Sequence, residues 1–153
     1  MKSITPACYN VLLTEINDIK QSQLPAVAEE ISIARSHGDL RENAQYSAAK
    51  EKQRMIEARL GELEEVISTY TVVDICGKKF DFVAFGATIE IQFLDDNSIK
   101  KFQILSDYDA DINKGIVSIN APIVKGLLGL KELDEAEITL AGKTRDILIK
   151  KIS

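Results

Sequence analysis

The sequence predicts an α+β chain, an N-terminal antiparallel coiled-coil helical hairpin followed by a small antiparallel β domain with a short helix. Three observations predict it. A series of seam residues runs at heptad spacing up to Tyr70, only Gly38 and Gly61 interrupt the chain before Gly77, and short β-branched runs punctuated by Gly, Asn and Asp follow. The boundary is read near Thr71–Gly77, giving domains 1–75 and 76–153. Charge shifts at the same place: residues 1–75 carry 8 Lys+Arg against 12 Asp+Glu, and residues 76–153 carry 11 against 12.

In the first helix Leu12, Ile16 and Ile19, then Val27, Ile31 and Ala34, recur at steps of four and three, interrupted around Pro25. Proline lacks a backbone donor and clashes with the preceding turn, so the helix is expected to bend or slip there. Gly38 stands where a helix C-terminus favours a left-handed residue, and Asp39 follows as a candidate N-cap. In the second helix Glu42, Tyr46, Ala49, Gln53, Ile56, Leu60, Leu63, Ile67 and Tyr70 keep one face against a partner for about four heptads. At 1.5 Å per residue a helix of about 28 residues is roughly 40 Å long. Such a hairpin is expected to project into solvent with Ser36–Asn43 as its tip. It either holds a partner along its side or delivers the tip elsewhere.

Asp39 and Glu42 have the spacing of a capping box, in which the two side chains satisfy each other's backbone amides. The same two carboxylates, exposed on a projecting turn, also suit metal chemistry. They are too few to hold Mg²⁺ alone, since that ion keeps octahedral oxygen ligation shared among carboxylates, waters and phosphates. They would be half a site, able to complete a two-metal centre on a partner. His37 reads as a partner of terminal helix carbonyls more readily than as a general base. Arg35, Arg41, Lys50, Lys52, Arg54 and Arg59 make the tip-proximal half locally basic. Interleaved with Glu51 and Glu57 they form an ordinary solvated face, or a weak contact for nucleic-acid phosphate. Tyr46 lies on the seam, where packing competes with stacking on a base.

In the second domain, Thr88–Phe93 alternates as a half-buried strand and Asp95-Asp96-Asn97 turns the chain into Ile99–Leu105. Gly115–Ile119 is a further strand, Pro122–Leu128 a short helix, and Ile138–Leu140 with Ile147–Ile149 a hairpin across Ala141-Gly142-Lys143. Asp107, Asp109, Asp111 and Asn113 resemble a calcium loop, but its sixth position is Ile112 and its twelfth Ser118, so calcium is rejected. No aromatic-lined pocket can be identified from the sequence.

Composition narrows the function classes. With 45% hydrophobic and 28% charged residues and no apolar run near the roughly 18 residues of a membrane span, a soluble cytoplasmic protein is expected, with no membrane role. Cys8, Cys76 and the single histidine cannot supply a structural zinc site or a disulfide framework. A net charge of −5 disfavours independent binding to duplex DNA or RNA.

The string Ile33-Ala34-Arg35-Ser36-His37-Gly38-Asp39-Leu40-Arg41-Glu42-Asn43-Ala44-Gln45-Tyr46-Ser47-Ala48-Ala49 closely resembles the A-R-x-x-G-D-L-x-E-N-x-x-Y-x-A-A tip of the Gre family of bacterial transcript cleavage factors. Phe85-Gly86-Ala87-Thr88 and the segment from Ser118 to Gly129 resemble two further motifs of that family, in order and in one register over nearly the whole chain. The resemblance implies a coiled-coil hairpin entering the secondary channel of bacterial RNA polymerase and a domain similar to FKBP prolyl isomerases docking at the channel rim. It implies that Asp39 and Glu42 are the acids that help hold a second Mg²⁺ shared with polymerase, none being bound by the chain alone. The 3′ end of backtracked RNA is then cleaved by polymerase itself, so the chain is expected to be a monomeric factor and not an enzyme. Asn43 and Tyr46 take supporting roles, and Arg35, Arg41, Lys50, Lys52 and Arg54 at most a weak contact with RNA. Two alternatives remain: a channel-occupying inhibitor of the same fold, and a prolyl isomerase or chaperone with a coiled-coil arm. Cys8, where many members have glycine, and Gln23-Leu24-Pro25, in place of a more basic run, depart from the family pattern.

Overall fold

A computed structural model of the chain describes residues 2–38 and 43–153. It divides into two compact units, Tyr9–Tyr70 and a second made of Met1–Cys8 with Thr71–Ser153. The first residues group with the sheet-bearing unit, whereas the sequence reading put them with the hairpin in residues 1–75.

The helical unit is a hairpin. Helix α1 (Pro6–Asp18) runs through a π-helical turn at Ile19–Gln23 into α2 (Leu24–Arg35), and α3 (Ala44–Thr69) returns. Leu12, Ile19, Val27, Ile31 and Ala34 are buried on the first arm, and Ala49, Leu63 and Val66 on the second. Steps of four and three from Leu12 through Ile19 would continue through 23 to positions 26, 30 and 33, whereas Val27, Ile31 and Ala34 are the buried residues found. The buried residues stand one place later. A π turn inserts one residue into a helix, and here it restores the seam's phase. The Leu24 amide donates to the Ile19 carbonyl five residues back, and Gln23 Nε2 donates to Asp18 Oδ2 at 2.7 Å across the same interval. Pro25, at the second position of α2, needs no donor there. The expected slip is thus a one-residue correction, and the unusual Gln23 is part of it.

Ion pairs bind the arms. Arg59 forks onto Glu15, with Nε 2.8 Å from Oε1 and a terminal nitrogen 3.0 Å from Oε2. Lys20 meets Glu64 and Lys52 meets Glu30, both at 2.9 Å.

The second unit holds a parallel pair, β1 (Ser3–Ile4) with β2 (Thr71–Val72), and a five-stranded sheet. The sheet strands are β3 (Thr88–Phe93), β4 (Ile99–Leu105), β5 (Ile116–Ser118), β6 (Glu135–Leu140) and β7 (Lys143–Ile152), ordered β5-β4-β3-β7-β6. Alternation sends Ile89, Ile91, Phe93, Phe102, Ile104, Ile147 and Ile149 into one core, closed by Val124 of α4 (Pro122–Lys125) and Leu127. Ala141 and Gly142 both have positive φ, 51° and 79°, the type I′ turn whose twist matches a two-residue hairpin. One expectation is corrected: β5 runs parallel to β4, so the sheet is mixed and not antiparallel. The ten residues between them, 106–115, suffice to carry the chain back past β4, and a three-residue strand has no periodicity from which to read direction.

Candidate functional site at the end of the hairpin

Asp39, Arg41 and Glu42 lie outside the described residues, and so do their expected cap and metal roles. The flanks are described. α2 ends in a tightening turn: the Ser36 amide donates to Ser32 and Ile33 carbonyls, His37 to Ala34 and Gly38 to Arg35. Gly38 has φ +104°, the left-handed geometry expected of it. His37 is exposed.

The helix that follows is capped by Asn43, in extended conformation at φ −83° and ψ 96°, rather than by Asp39. Asn43 Oδ1 accepts from the Tyr46 amide at 3.0 Å, while Asn43 Nδ2 donates to the Ala34 carbonyl of the other arm at 2.6 Å. One amide therefore satisfies an orphan donor at the start of α3 and gives a second donor to a carbonyl at the end of α2, which already accepts from His37. The capping-box spacing of Asp39 and Glu42 concealed a second cap motif four residues on, in which Asn43 has no acid at its third position. Ala34 and Ala49 are buried here, and their small side chains let the arms approach closely.

Tyr46 is half-buried on the seam, and the Arg35 guanidinium stands 5.9 Å from its ring centroid, within cation–π range. Two residues proposed for RNA contact already have acidic partners: Lys52 bridges to Glu30 of the other arm at 2.9 Å, and Arg54 to Glu51 at 3.0 Å. Lys50 donates to Gln53 at 3.2 Å. Lys52 and Arg54 are therefore ion-paired within the hairpin, and a contact with phosphate through either must compete with these pairs.

In the sheet unit the acidic loop serves the fold. Asp107 accepts from Ser118 Oγ and, at 2.9 Å, from Asn120 Nδ2, which holds its carboxyl below the usual range. Asp109 accepts from Thr5 Oγ1 and Ser106 Oγ, each at 2.5 Å. Asp111 caps the short 3₁₀ turn Ile112–Lys114. An aromatic-lined cleft, which the sequence did not reveal, does exist before β3: about 360 Å³, bounded by Phe80, Phe82 and Phe85 with Lys78 and Lys79. Its aromatics stand in an irregular segment with no period to mark them as neighbours.

A helical hairpin whose linking segment carries two acids, joined in sequence to a small mixed sheet, defines the class. Both parts match family models: "Transcription elongation factor, N-terminal" over residues 2–72 and "Transcription elongation factor, GreA/GreB, C-term" over residues 78–153. The chain belongs to the GreA/GreB family of transcription elongation factors. It is 42% identical over 141 residues to the transcription elongation factor GreA of Helicobacter acinonychis, covering 92% of this chain and 86% of the relative. With the GreA of Brucella anthropi it shares 38% identity over 142 residues, 93% of this chain and 90% of that one. Among solved structures, GreA factor homolog 1 of Thermus thermophilus aligns over 99% of this chain and 98% of its own at 21% identity and TM-score 0.46. The GreA/GreB factor of Nitrosomonas europaea aligns over 61% and 78% at 23% identity and TM-score 0.43.

Proposed function

We propose that this chain binds bacterial RNA polymerase, passes its hairpin down the secondary channel, and stimulates polymerase to cleave the 3′ part of backtracked RNA. Asp39 and Glu42 lend their carboxylates to the polymerase centre, where they help hold a second Mg²⁺. Two hard oxygen donors three residues apart suit that ion as a minority of its ligands, polymerase and water supplying the rest. When bound, the ion would acidify the attacking water and offset developing phosphate charge. The chain's own residues carry and orient the acids, and the hydrolytic activity remains polymerase's. The sheet unit docks the factor.

The observation that carries this reading is family membership over both halves of the chain together with Asp39 and Glu42 standing between the two helices. Backtracked elongation complexes incubated with Mg²⁺ and the native chain should yield shortened RNA. Asp39→Asn and Glu42→Gln should each lower the cleavage rate by about a hundredfold, the scale of losing one preorganised electrostatic contact. Cleavage that survives both substitutions would refute the role of the acids. Binding without cleavage by the native chain would favour an inhibitor.

A further inference from the structure

We infer that Asn43 is a positioning residue that locks the acid-bearing segment by tying the two arms of the hairpin together, an inference that rests on the cleavage reading above. The carboxamide is used at both ends. Its oxygen takes the Tyr46 amide at 3.0 Å and its nitrogen gives a proton to the Ala34 carbonyl at 2.6 Å. Its orientation is therefore fixed by chemistry, because reversing the group would set two donors against one another and two acceptors likewise. The carbonyl it reaches also takes the His37 amide, at 3.2 Å, within the turn that ends α2. Asn43 thus closes the chain between Ala34 and itself into a ring of eight intervening residues, among them Asp39 and Glu42. A short loop with pinned ends has far fewer conformations than one hanging from two frayed helices. Acids that must meet a metal in a foreign site gain from such preorganisation, since their placement tolerates errors well under an ångström.

Capping and tying are separable by substitution. Serine is as good an N-cap as asparagine, but its hydroxyl is too short to reach Ala34 from the same backbone position. Asn43→Ser therefore keeps the start of α3 and loses the bond between arms. Asn43→Ala loses both, and native helicity by circular dichroism shows that a variant is folded. With polymerase, Asn43→Ser should bind within about twofold of native, lose about tenfold in cleavage rate at saturating factor, and require more Mg²⁺ for half-maximal cleavage. In the free protein its backbone amides at Ser36, His37 and Gly38 should exchange about tenfold faster, with those of Leu63 and Val66 unchanged. Cleavage and exchange both at native levels would show that Asn43 is only a helix cap and overturn the inference. Faster exchange with native cleavage would overturn its positioning role as well. A native chain that cleaves nothing would overturn the cleavage reading and this role with it, while the exchange rates would still report whether the arms are tied.

Discussion

Cys8 and Cys76 carry the same thiol in opposite settings. Cys76 is exposed, whereas Cys8 is partly buried beside the Asp109 carboxylate. Burial first, and then the charge and hydrogen bond of Asp109, push the Cys8 thiol from 9.0 to about 11. The thiolate is the nucleophile, and two pH units cost it about a hundredfold in population. Iodoacetamide at pH 8 should accordingly label Cys76 readily and Cys8 at least about tenfold more slowly, with the difference abolished in denaturant. Equal labelling in the native protein, read by mass spectrometry of the two peptides, would show that burial and Asp109 do not guard this thiol. Single residues were also where the sequence was hardest to read. Asp39 carried the more familiar capping pattern, yet Asn43 caps the described helix, because the cap belongs to whichever residue takes the extended conformation before the first helical turn.

The helical arms depend on a few polar ties as well as on their seam. The Arg59 fork holds the Glu15 carboxyl below its ordinary value of 4.5, with the hydrogen bond to Arg59 the chief cause, and Glu15 in turn raises Arg59. A depressed carboxyl contributes stability above its unfolded value and loses it as pH falls through the folded one. Both partners remain well exposed, so the gain is about 0.5–1 kcal/mol after solvent screening. Glu15→Gln should therefore lower the urea midpoint of the hairpin at pH 7, with the gap to native narrowing below the ordinary value of 4.5 and closing as pH falls through the depressed folded one. A gap that persists once the carboxyl is protonated in both the folded and the unfolded state would assign the effect to packing. Elements with a strong period or a clear turn were legible: β3 falls at Thr88–Phe93 as alternation predicts, since it buries one face, and β4 at Ile99–Leu105 after the Asp95-Asp96-Asn97 turn. The break in the first helix was visible as well, because Ile19 and Val27 stand eight apart where the seam wants seven. The direction of β5 was not, since hydrophobic alternation is identical in parallel and antiparallel pairing.

At the scale of the molecule, the sheet-bearing unit is built from two separated pieces of chain, with the helical unit contributed by everything between them. The join is made by backbone: Thr71 donates to the Lys2 carbonyl at 2.8 Å and Val73 to that of Ile4 at 2.9 Å. Ile4 is fully buried. Replacing it by alanine should cost about 2–4 kcal/mol, as for other buried aliphatic truncations. The loss should be read in the exchange of β3 and β4 amides, although Ile4 is more than eighty residues from them in sequence. A loss under about 0.5 kcal/mol would mean that the first residues are an appendage of the unit. This assignment was not legible beforehand, because a two-residue strand is too short to show any period. Asp39 and Glu42, by contrast, are marked by their spacing as well as by the family motif around them.

The discontinuity of that unit sets an order of events during synthesis. The ribosome releases Ser3 and Ile4 first, yet their partners Thr71 and Val72 emerge only after the entire hairpin. The rest of the sheet, through residue 153, needs roughly a further 4–16 s at about 5–20 residues per second. Through that interval the nascent chain carries a helical pair that can already close on itself while Ile4 and Cys8 wait uncovered.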